Sequence, residues 1–445
     1  MMEGWKQIKL GDIIHIKHGY GFKGEYFVEE PNNNILVTPG NFAIGGGFKD
    51  DKMKYYDGPI NEEFVLSEGD VIVTMTDLSK QADTLGYSAK VPKDDINTYL
   101  HNQRIGLVSL LSKDYDLDFI YWLLRTHAYQ RYIAGSSSGA TVKHTSPKKI
   151  YSTKLTVPKS KETQRKIASI LSAYDDLIEN NLKRIKLLEE QAQLTYEEWF
   201  VRFKFPGHET TKFDEETGLP EGWERKKLGE LVLLQQGFAL NKKSKHHVSE
   251  KKTDFPLLKI GDLLNGTETL FVKETIPKQF LVDKDEIIYS RTGQVGLAFM
   301  GRKGVIYNNC FRVSANENID KLVLYYFLIS EPIKETAKSL ATGSAQPDLN
   351  HGAFKSIPID LPPKNIQKQY SLPIEKNLKI IENLTIQNQH LKEARDILLP
   401  RLMSGMIDPS TSSGQVVEKL EVGSLKYEVN DSLGMVAEEN DIYSK

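Results

Sequence analysis

The sequence has a single cysteine and no long hydrophobic run. Because Cys310 is the only cysteine among 445 residues, no disulfide can form within the chain, which is typical of proteins from a reducing compartment. The longest apolar stretch, 322–329, is far shorter than the roughly 18 residues that a membrane span needs. The first residues include Glu3 and lack the apolar core of a signal peptide. We therefore expect a cytoplasmic protein without membrane contact.

Sequence motifs of metal sites and of methyltransferases are also absent. The chain has no Cys-x-x-Cys and no His-Glu-x-x-His, and the adjacent His246 and His247 are not spaced for chelation, so we expect no metal. The only Pro-Pro pair, Pro362 and Pro363, lies between Leu and Lys rather than in the Asn/Asp-Pro-Pro-Tyr/Phe motif of an adenine methyltransferase. The sequence thus favours a protein that binds rather than reacts.

Charge is unevenly distributed along the chain. The net charge is −2, but residues 408–445 carry eight acidic and three basic side chains, which leaves the other residues slightly basic. We interpret 408–445 as an acidic, flexible tail. Any basic surface on the remaining chain must be local.

The chain contains two copies of one unit. Residues 4–20 (GWKQIKLGDIIHIKHGY) match 222–238 (GWERKKLGELVLLQQGF) without a gap, at an offset of 218. Further along, 116–124 (DLDFIYWLL) matches 320–328 (DKLVLYYFL) at an offset of 204. The smaller offset indicates that the first copy is longer in its middle.

The repeat decides how the glycines of GYGFKG are interpreted. Gly19, Gly21 and Gly24 have the spacing of a dinucleotide-binding fingerprint and follow a strand-like run at 12–18. Only Gly19 has a counterpart in the second copy, Gly237. We therefore predict a strand followed by a turn, not a nucleotide site.

Each copy ends in a long amphipathic segment, 161–204 and 365–405. Apolar residues recur there at steps of mostly three and four, which predicts helices with one buried stripe. Pro373 and Pro400 are expected to kink or bound the second helix. At an offset of 203 the two stripes coincide, and the predicted helix-interface residues are Leu171, Ile178, Leu188, Trp199, Ile374, Ile381, Leu391 and Leu402.

Duplication predicts how the helices are arranged. Two copies are most simply related by an internal two-fold axis, which would make the long helices antiparallel. About 40 residues at roughly 1.5 Å each give a rod of about 60 Å. Recognition sites on one face of B-DNA repeat about every 34 to 36 Å, so such a rod could separate two reading domains by one helical turn.

In order and spacing, several short motifs resemble the specificity (S) subunit of type I restriction-modification systems. The resemblance covers about residues 1–408, and the tail lies outside it. The motifs are WKQIKLGD and WERKKLGE at the domain starts, TVPKSKETQRKI and DLPPKNIQKQ at the helix starts, YEEWFVRFKFPG and LPEGW at the junction, and LLPRLMSGMID near the end.

The resemblance implies a fold and a division of labour. It implies an α+β protein in which two similar α/β target recognition domains are joined by two long antiparallel helices that form a coiled-coil-like spacer. Each domain would read half of a split double-stranded DNA target, and the helices would dock two methyltransferase subunits, which restriction subunits join. The methyltransferase subunits would use S-adenosylmethionine to methylate adenine N6, so this chain would bind no cofactor itself.

This organisation sets six expected segments. They are target recognition domain 1 (1–158), spacer helix 1 (159–204), a linker (205–222), target recognition domain 2 (223–363), spacer helix 2 (364–407) and the tail (408–445).

Candidate DNA-reading positions are those at which the two copies share a framework but differ in polar side chains. The loops 136–149 and 340–355 align at Gly139 and Gly343. Such differences are expected of readers of different half-sites, although drift in a surface loop explains them equally well. The candidates are Lys143, His144, Lys148 and Lys149 in the first loop and Gln346, Asn350 and His351 in the second.

Other candidates are basic residues in turns. A guanidinium or ammonium group can bind a phosphate, but for any single residue a solvated surface position is the more frequent explanation. These candidates are Arg291 with Thr292, Arg302 and Lys303, then Lys242, Lys243 and Lys245, and in the first copy Lys23, Arg104 and Arg131. Trp5, Trp122, Trp199 and Trp223 are interpreted as core or helix interface.

Two alternatives remain open at this point. One is a coiled-coil scaffold whose end domains bind protein. The other is an enzyme, either a self-sufficient methyltransferase or a nuclease, to which the acidic segment 283–286 could belong. Its counterpart at 68–71 retains only Asp70, however, and a turn that leads into a strand is the preferred interpretation.

Overall fold

The computed structural model describes residues 3–77, 79, 81–139, 142–343 and 345–409. They divide into two compact units, one made of the residues up to 180 together with those from 387 onward, and one made of residues 181–386. Nearly all of the predicted acidic tail lies outside the described residues. Within the described ranges, no helix is long and apolar enough to cross a membrane.

The first unit contains short strands, three short helices and the start of a long one. Its strands are β1 (Trp5–Lys9), β2 (Ile14–His18), β3 (Phe27–Val28), β4 (Asn34–Val37), β5 (Tyr55–Tyr56), β6 (Val65–Leu66), β7 (Val71–Thr74), β8 (Thr76–Asp77), β9 (Ser88–Lys90), β10 (Thr98–His101), β11 (Ile105–Leu110), β12 (Lys143–His144) and β13 (Lys154–Pro158). The helices are α1 (Leu117–Leu123), α2 (His127–Gly135), α3 (Pro147–Tyr151) and α4 (Lys161–Tyr196), and α4 continues into the second unit as a π-helical turn, Glu197–Val201.

The second unit repeats this succession. Its strands are β14 (Glu224–Lys227), β15 (Val232–Gln236), β16 (Val248–Ser249), β17 (Leu257–Leu258), β18 (Phe271–Val272), β19 (Leu281–Val282), β20 (Ile287–Ser290), β21 (Ala298–Phe299), β22 (Gly304–Ile306), β23 (Cys310–Ala315) and β24 (Pro358–Leu361). The helices are α5 (Ile260–Asn265), α6 (Lys321–Ile329), α7 (Glu331–Leu340), α8 (His351–Lys355) and α9 (Lys364–Met403), the last of which returns to the first unit.

The sheets confirm the duplication. In the first unit β1 pairs with β13, and a four-stranded sheet has the order β2-β11-β7-β9. In the second unit β14 pairs with β24, and the corresponding sheet has the order β15-β23-β20-β21. The strands β4, β10 and β6 likewise correspond to β17, β22 and β19, with one parallel and one antiparallel pairing in each copy. Helix and sheet are therefore mixed in the same way in both copies.

The turn after the second strand explains the repeated glycine. A side chain at Gly19 would bring its Cβ within 2.2 Å of the Asn102 carbonyl oxygen, and one at Gly237 would come equally close to that of Tyr307. Nothing lies within 4 Å of a Cβ built at Gly24, which has no counterpart in the second copy. The interpretation as a turn is confirmed, because close backbone approach requires glycine at the repeated position only.

The extra length of the first copy lies partly beside β8. The loop from Asp77 to Gly86 is replaced in the second copy by the short turn Gly293–Gly296. Asp77 organises the longer loop by accepting hydrogen bonds from the backbone N–H groups of Ser79 (2.6 Å) and Thr84 (2.6 Å). Burial tends to raise the pKa of Asp77, but these hydrogen bonds lower it below its usual value.

Both long helices pack within each unit as segments that run in opposite directions. In the first unit, Asn388 donates to the Ile178 carbonyl (3.5 Å) and Arg395 to Asp175, so the numbers rise on one segment as they fall on the other. In the second unit, Tyr370 donates to the Ala192 carbonyl at 3.1 Å. Pro373 and Pro400 both lie inside α9, so neither of them bounds this helix, and a kink at these prolines stays a prediction.

The eight stripe residues are buried or half-buried. Leu171 and Leu402 share the hydrophobic core of the first unit, and Ile374 and Trp199 that of the second. Ile178 is buried, and the half-buried members are Leu188, Trp199, Ile381 and Leu391. Trp5, Trp122 and Trp223 are buried as well, so their interpretation as core residues is confirmed.

A buried glutamine at the start of each long helix ties it to the globular domain. Gln164 accepts a hydrogen bond from the Asp116 N–H and donates to the Pro158 carbonyl, both at 3.0 Å. Gln367 accepts from the Asp320 N–H (2.6 Å) and donates to the Pro362 carbonyl (2.8 Å). Asp116 and Asp320 in turn cap α1 and α6. The two copies therefore share one joint between domain and helix.

Candidate nucleic-acid interface

The described residues of the two aligned loops share one pattern of backbone hydrogen bonds. Ser138 and His144 exchange two backbone hydrogen bonds of 3.0 and 2.9 Å, and Thr342 and Asp348 exchange two of 3.0 and 2.8 Å. Gly139 and Gly343, which follow the first member of each pair, have φ angles of 97° and 98°. Such angles favour glycine, so the framework of both loops is fixed by their backbones.

The side chains that this framework presents differ between the copies. In the first unit the Thr76 hydroxyl lies 3.2 Å from Nδ1 of His144. In the second unit the Thr292 hydroxyl donates to Oδ1 of Asp348 at 2.6 Å. The threonine two residues after β7 or β20 therefore contacts an imidazole in one copy and a carboxylate in the other. Imidazole and carboxylate present different hydrogen-bonding groups, as readers of different bases require.

Arg291 is held inside the second loop. Its Nη2 donates to Oδ2 of Asp348 at 2.5 Å, its Nη1 donates to Oε1 of Gln236 at 3.2 Å, and its guanidinium lies over the Phe311 ring. Only 19% of its side chain is exposed. The corresponding residue of the first unit is Met75, which is buried. Arg291 therefore has a carboxylate partner in this structure, and its contact with DNA stays a prediction.

His351 completes this cluster. Its Nε2 lies 3.3 Å from Oε1 of Gln236, and its ring meets that of Phe311 edge to face with centroids 4.8 Å apart. Burial, followed by the nearby charges of Arg291 and Lys355, lowers the pKa of His351 below its usual value. The imidazole is therefore neutral near pH 7 and can accept or donate one hydrogen bond.

Three further candidates have structural partners. Asn350 caps α8 by accepting from the Ala353 N–H at 2.9 Å, as Ser146 caps α3 in the first copy. Lys149 donates from Nζ to the Ser136 carbonyl. Arg302 donates from Nη2 to the Asp262 carbonyl at 3.1 Å. Each of these side chains stabilises its own loop, and contact with DNA stays a prediction for them.

The remaining candidates lie at the surface, on several elements. Lys143 and Thr292 are half-buried, and His144, Lys148 and Gln346 are exposed on the two loops. Arg104 lies near the first loop, since its carbonyl accepts from the Met75 N–H at 3.0 Å and the Met75 carbonyl accepts from the Thr145 N–H at 3.0 Å. The exposed candidates elsewhere are Arg131 on α2, Lys23 in an ion pair with Glu25, Lys242, Lys243 and Lys245 around one turn, and Lys303.

Sequence reasoning missed Gln236, which joins Arg291 to His351. A signal was present, because Gln236 stands where the first copy has His18, immediately before the repeated turn glycine. Across the described residues, no group of three His, Cys, Asp or Glu side chains is placed to hold a metal ion.

One protein-family model matches the chain twice. Its description is "Type I restriction modification DNA specificity domain", and the matches cover residues 2–190 and 220–393. The two matched segments correspond to the two copies seen in the fold.

Several curated proteins are similar over most of their length. The chain is 26% identical over 334 residues to the type I restriction enzyme MjaIX specificity subunit of Methanocaldococcus jannaschii, covering 72% of this chain and 75% of that protein. It is 23% identical to the MjaVIII specificity subunit of the same organism, covering 91% and 93%. It is 25% identical to the HindI specificity subunit of Haemophilus influenzae, covering 91% of this chain and all of that protein.

A solved structure has the same fold. The crystal structure of the type I restriction-modification system S subunit from M. genitalium superposes with a TM-score of 0.52 at 18% identity, covering 89% of this chain and 96% of that one.

Proposed function

The chain belongs to the family of type I restriction modification DNA specificity domains, and we propose that each of its two copies reads one half of a bipartite, asymmetric DNA target. One observation carries this proposal. Around Gly139 and Gly343 the described residues share the same backbone hydrogen bonds and glycine φ angles, but they present His144 in one copy and Asp348 in the other. A common framework with different hydrogen-bonding groups suits two readers of different sequences.

Exposed cations would supply the sequence-independent part of binding. Lys242, Lys243 and Lys245 surround one exposed turn of the second copy, and Lys148 and Arg104 are exposed in the first. Ammonium and guanidinium groups at such positions bind phosphates and release counterions, so affinity should fall steeply as salt is raised.

We assign to the long helices the roles of spacer and docking surface. The stripe residues bury one face of α4, whereas Leu187 and Leu194 lie outside that stripe and are 64% and 59% exposed. Seven residues apart, these two leucines share one face of the helix. An exposed leucine pair on a helix fits a helical partner, and we propose that a methyltransferase subunit covers it.

Chemistry would then belong to the partners. The methyltransferase subunits would bind S-adenosylmethionine and methylate adenine N6 on a base that has left the duplex, while this chain binds no cofactor and acts as a non-catalytic subunit. Restriction subunits would join the same assembly.

Half-site reading is tested by exchanging one loop residue at a time. A complex of this chain with its methyltransferase subunits is used to select targets from a random-sequence duplex library. We expect His144→Ala to relax one half-site and Asp348→Ala to relax the other, each by about tenfold at one base pair. Lys113→Ala, which changes an exposed lysine outside both loops that is not a candidate DNA contact, is the control. The proposal fails if both variants select the wild-type sequence, or if binding of the wild type is insensitive to salt.

Docking is tested on the leucine pair. Leu187→Lys combined with Leu194→Lys should abolish co-purification of the methyltransferase subunits without unfolding the chain, because both side chains are exposed. The matched control is Leu182→Lys, which is also exposed (52%) but lies about 140° away around the helix. Retention of the partner by the double variant would exclude this face.

A further inference from the structure

Arg125 is an arginine buried inside the first unit. It follows α1, and only 2% of its side chain is exposed. Its Nε donates to the Gly45 carbonyl at 3.0 Å, and its Nη1 donates at 2.6 Å both to the Tyr121 hydroxyl and to Oδ2 of Asp175. One guanidinium thus connects a loop, a short helix and the long helix α4.

Asp175 extends this connection to the second long helix. Its Oδ1 accepts a hydrogen bond from Nη1 of Arg395 on α9, and Arg395 also pairs with Asp396. Burial tends to raise the pKa of Asp175, but the two guanidinium groups hold it below its usual value. The carboxylate is therefore ionised at neutral pH and lies between two cations.

The loop above Arg125 is shaped around the guanidinium. Gly45, Gly46 and Gly47 have φ angles of 86°, 89° and 97°. A Cβ at Gly46 would lie 2.6 Å from Cγ of Arg125. On its other side, the guanidinium carbon lies 4.2 Å from the centroid of the Trp122 ring. Backbone and ring together therefore hold the arginine in one position.

The second unit has apolar residues at the corresponding positions. By the repeat, Arg125, Asp175 and Arg395 correspond to Ile329, Leu378 and Ala192. Ala192 belongs to the hydrophobic core of that unit, and the half-buried Ile329 and Leu378 pack against this core. Replacing a buried ion network by apolar residues is often neutral or stabilising, so the network is not needed for stability alone. The network instead restricts the relative orientation of the elements that it connects, because hydrogen bonds require particular angles and apolar contacts do not.

We propose that Arg125 is a positioning residue that fixes the angle between the first globular domain and the two helix segments of its unit, and so narrows the spacer length that the protein accepts. This inference rests on the proposed function, in which the helices separate two half-sites. Each additional base pair moves the half-sites apart by about 3.4 Å and turns one against the other by about 35°. A domain held at a fixed angle will reject such a change.

The chain supplies its own replacement for the network. In Arg125→Ile/Asp175→Leu/Arg395→Ala, the first unit receives the residues of the second. The complete complex with methyltransferase subunits is used for selection from a random-sequence duplex library, and both half-sites and the spacer lengths are sequenced. We expect unchanged half-sites, but about a tenfold rise in the share of spacers that differ by one base pair, comparable to the smaller effects of one mismatch.

Controls separate positioning from folding. Lys166→Ile removes an exposed cation of the same unit that pairs with Glu162 on the same helix at 3.2 Å, and it should leave the spacer distribution unchanged. If the triple variant does not fold, the same spacer selection is repeated with Arg125→Lys. Lysine retains the positive charge but lacks the planar guanidinium that binds Gly45 and Asp175 at the same time. A folded variant with the wild-type spacer distribution overturns the inference. A wild-type complex that selects no paired half-sites overturns the proposed function instead.

Discussion

The two units connect the globular domain to the start of the long helix in the same way, but they differ in the contacts further along the helix. Both place a buried glutamine, Gln164 or Gln367, between a helix cap and the preceding proline carbonyl. Beyond that joint, the first unit continues with the ion network of Arg125, Asp175 and Arg395. In the second unit, packed aromatic rings take the place of this network.

The rings of the second unit surround Tyr370. This residue is fully buried, and its ring contacts those of Tyr196, Trp199, Phe200 and Tyr326. The corresponding position in the first unit is Ile167, among aliphatic neighbours such as Leu399 and Leu402. In the second unit the helix and the domain are therefore held together mainly by buried apolar surface. In the first unit the charged, hydrogen-bonded network also fixes their relative orientation.

The largest effect on stability is expected from Tyr370, at the centre of the aromatic cluster of the second unit. Tyr370→Ala should lower the free energy of unfolding by about 3 to 5 kcal/mol, because a large buried ring leaves a cavity. Urea unfolding followed by tryptophan fluorescence measures this loss. Tyr370→Phe, which removes only the hydrogen bond to Ala192, should cost about 1 kcal/mol. Equal losses in the two variants would show that packing does not hold this joint.

Breaking the ion network from one side should rank second. Asp175→Ala leaves the buried guanidinium of Arg125 without its carboxylate, and we expect a loss of about 3 kcal/mol in the same unfolding measurement. The neighbouring Asp176→Ala removes an equal charge from an exposed position and should change stability by less than about 0.5 kcal/mol. Similar values for both aspartates would contradict the difference drawn between the units.

The shared glutamine joint should give matched, smaller effects. Gln164→Leu and Gln367→Leu each leave the N–H of a capping aspartate without its acceptor. Each should lower the free energy of unfolding by about 1 to 3 kcal/mol. Hydrogen exchange of Asp116 and Asp320 should rise accordingly in the respective variant. Gln369→Leu, at an exposed position, is the control. If the two variants lose very different amounts of stability, the two joints have the same geometry but do not contribute equally to stability.

Acid should affect the first unit before the second. Since the folded pKa of Asp175 is lowered, its contribution to stability is present above the unfolded pKa of about 3.9 and is lost as pH falls through the folded value. Leu378, the counterpart in the second unit, does not titrate. Hydrogen exchange measured from pH 5 downward should therefore show earlier opening around Arg125 than around Ile329. In the triple variant this difference should disappear.

Features that recur in both copies could be predicted from the sequence. Gly19 with Gly237 and Gly139 with Gly343 identified turns and loops because a backbone constraint leaves glycine at the same place twice. Periodicity predicted the buried stripes because each helix buries one face over its whole length.

The ion network could not be predicted in this way. Arg125 lies 50 residues from Asp175, and Asp175 lies 220 residues from Arg395. The repeat offers no hint, because all three counterparts are apolar. An isolated arginine is usually exposed, so its burial becomes visible only when the helices and the glycine loop meet in the fold. The same holds for Arg291, whose partner Asp348 depends on the pairing of two loops.

The π-helical turn Glu197–Val201 has a consequence for any redesign of this protein. Such a turn contains one residue more than an α-helical turn, so deleting that residue would restore the α-helical path, whereas deleting a residue from α4 would rotate the helix beyond it by about 100°. Phe203, which has a φ of 55°, then leaves the helix and packs edge to face on Trp223 at the entrance to the second copy. Chimeric proteins that exchange modules should therefore be joined after Phe203, where the chain has already taken its new direction.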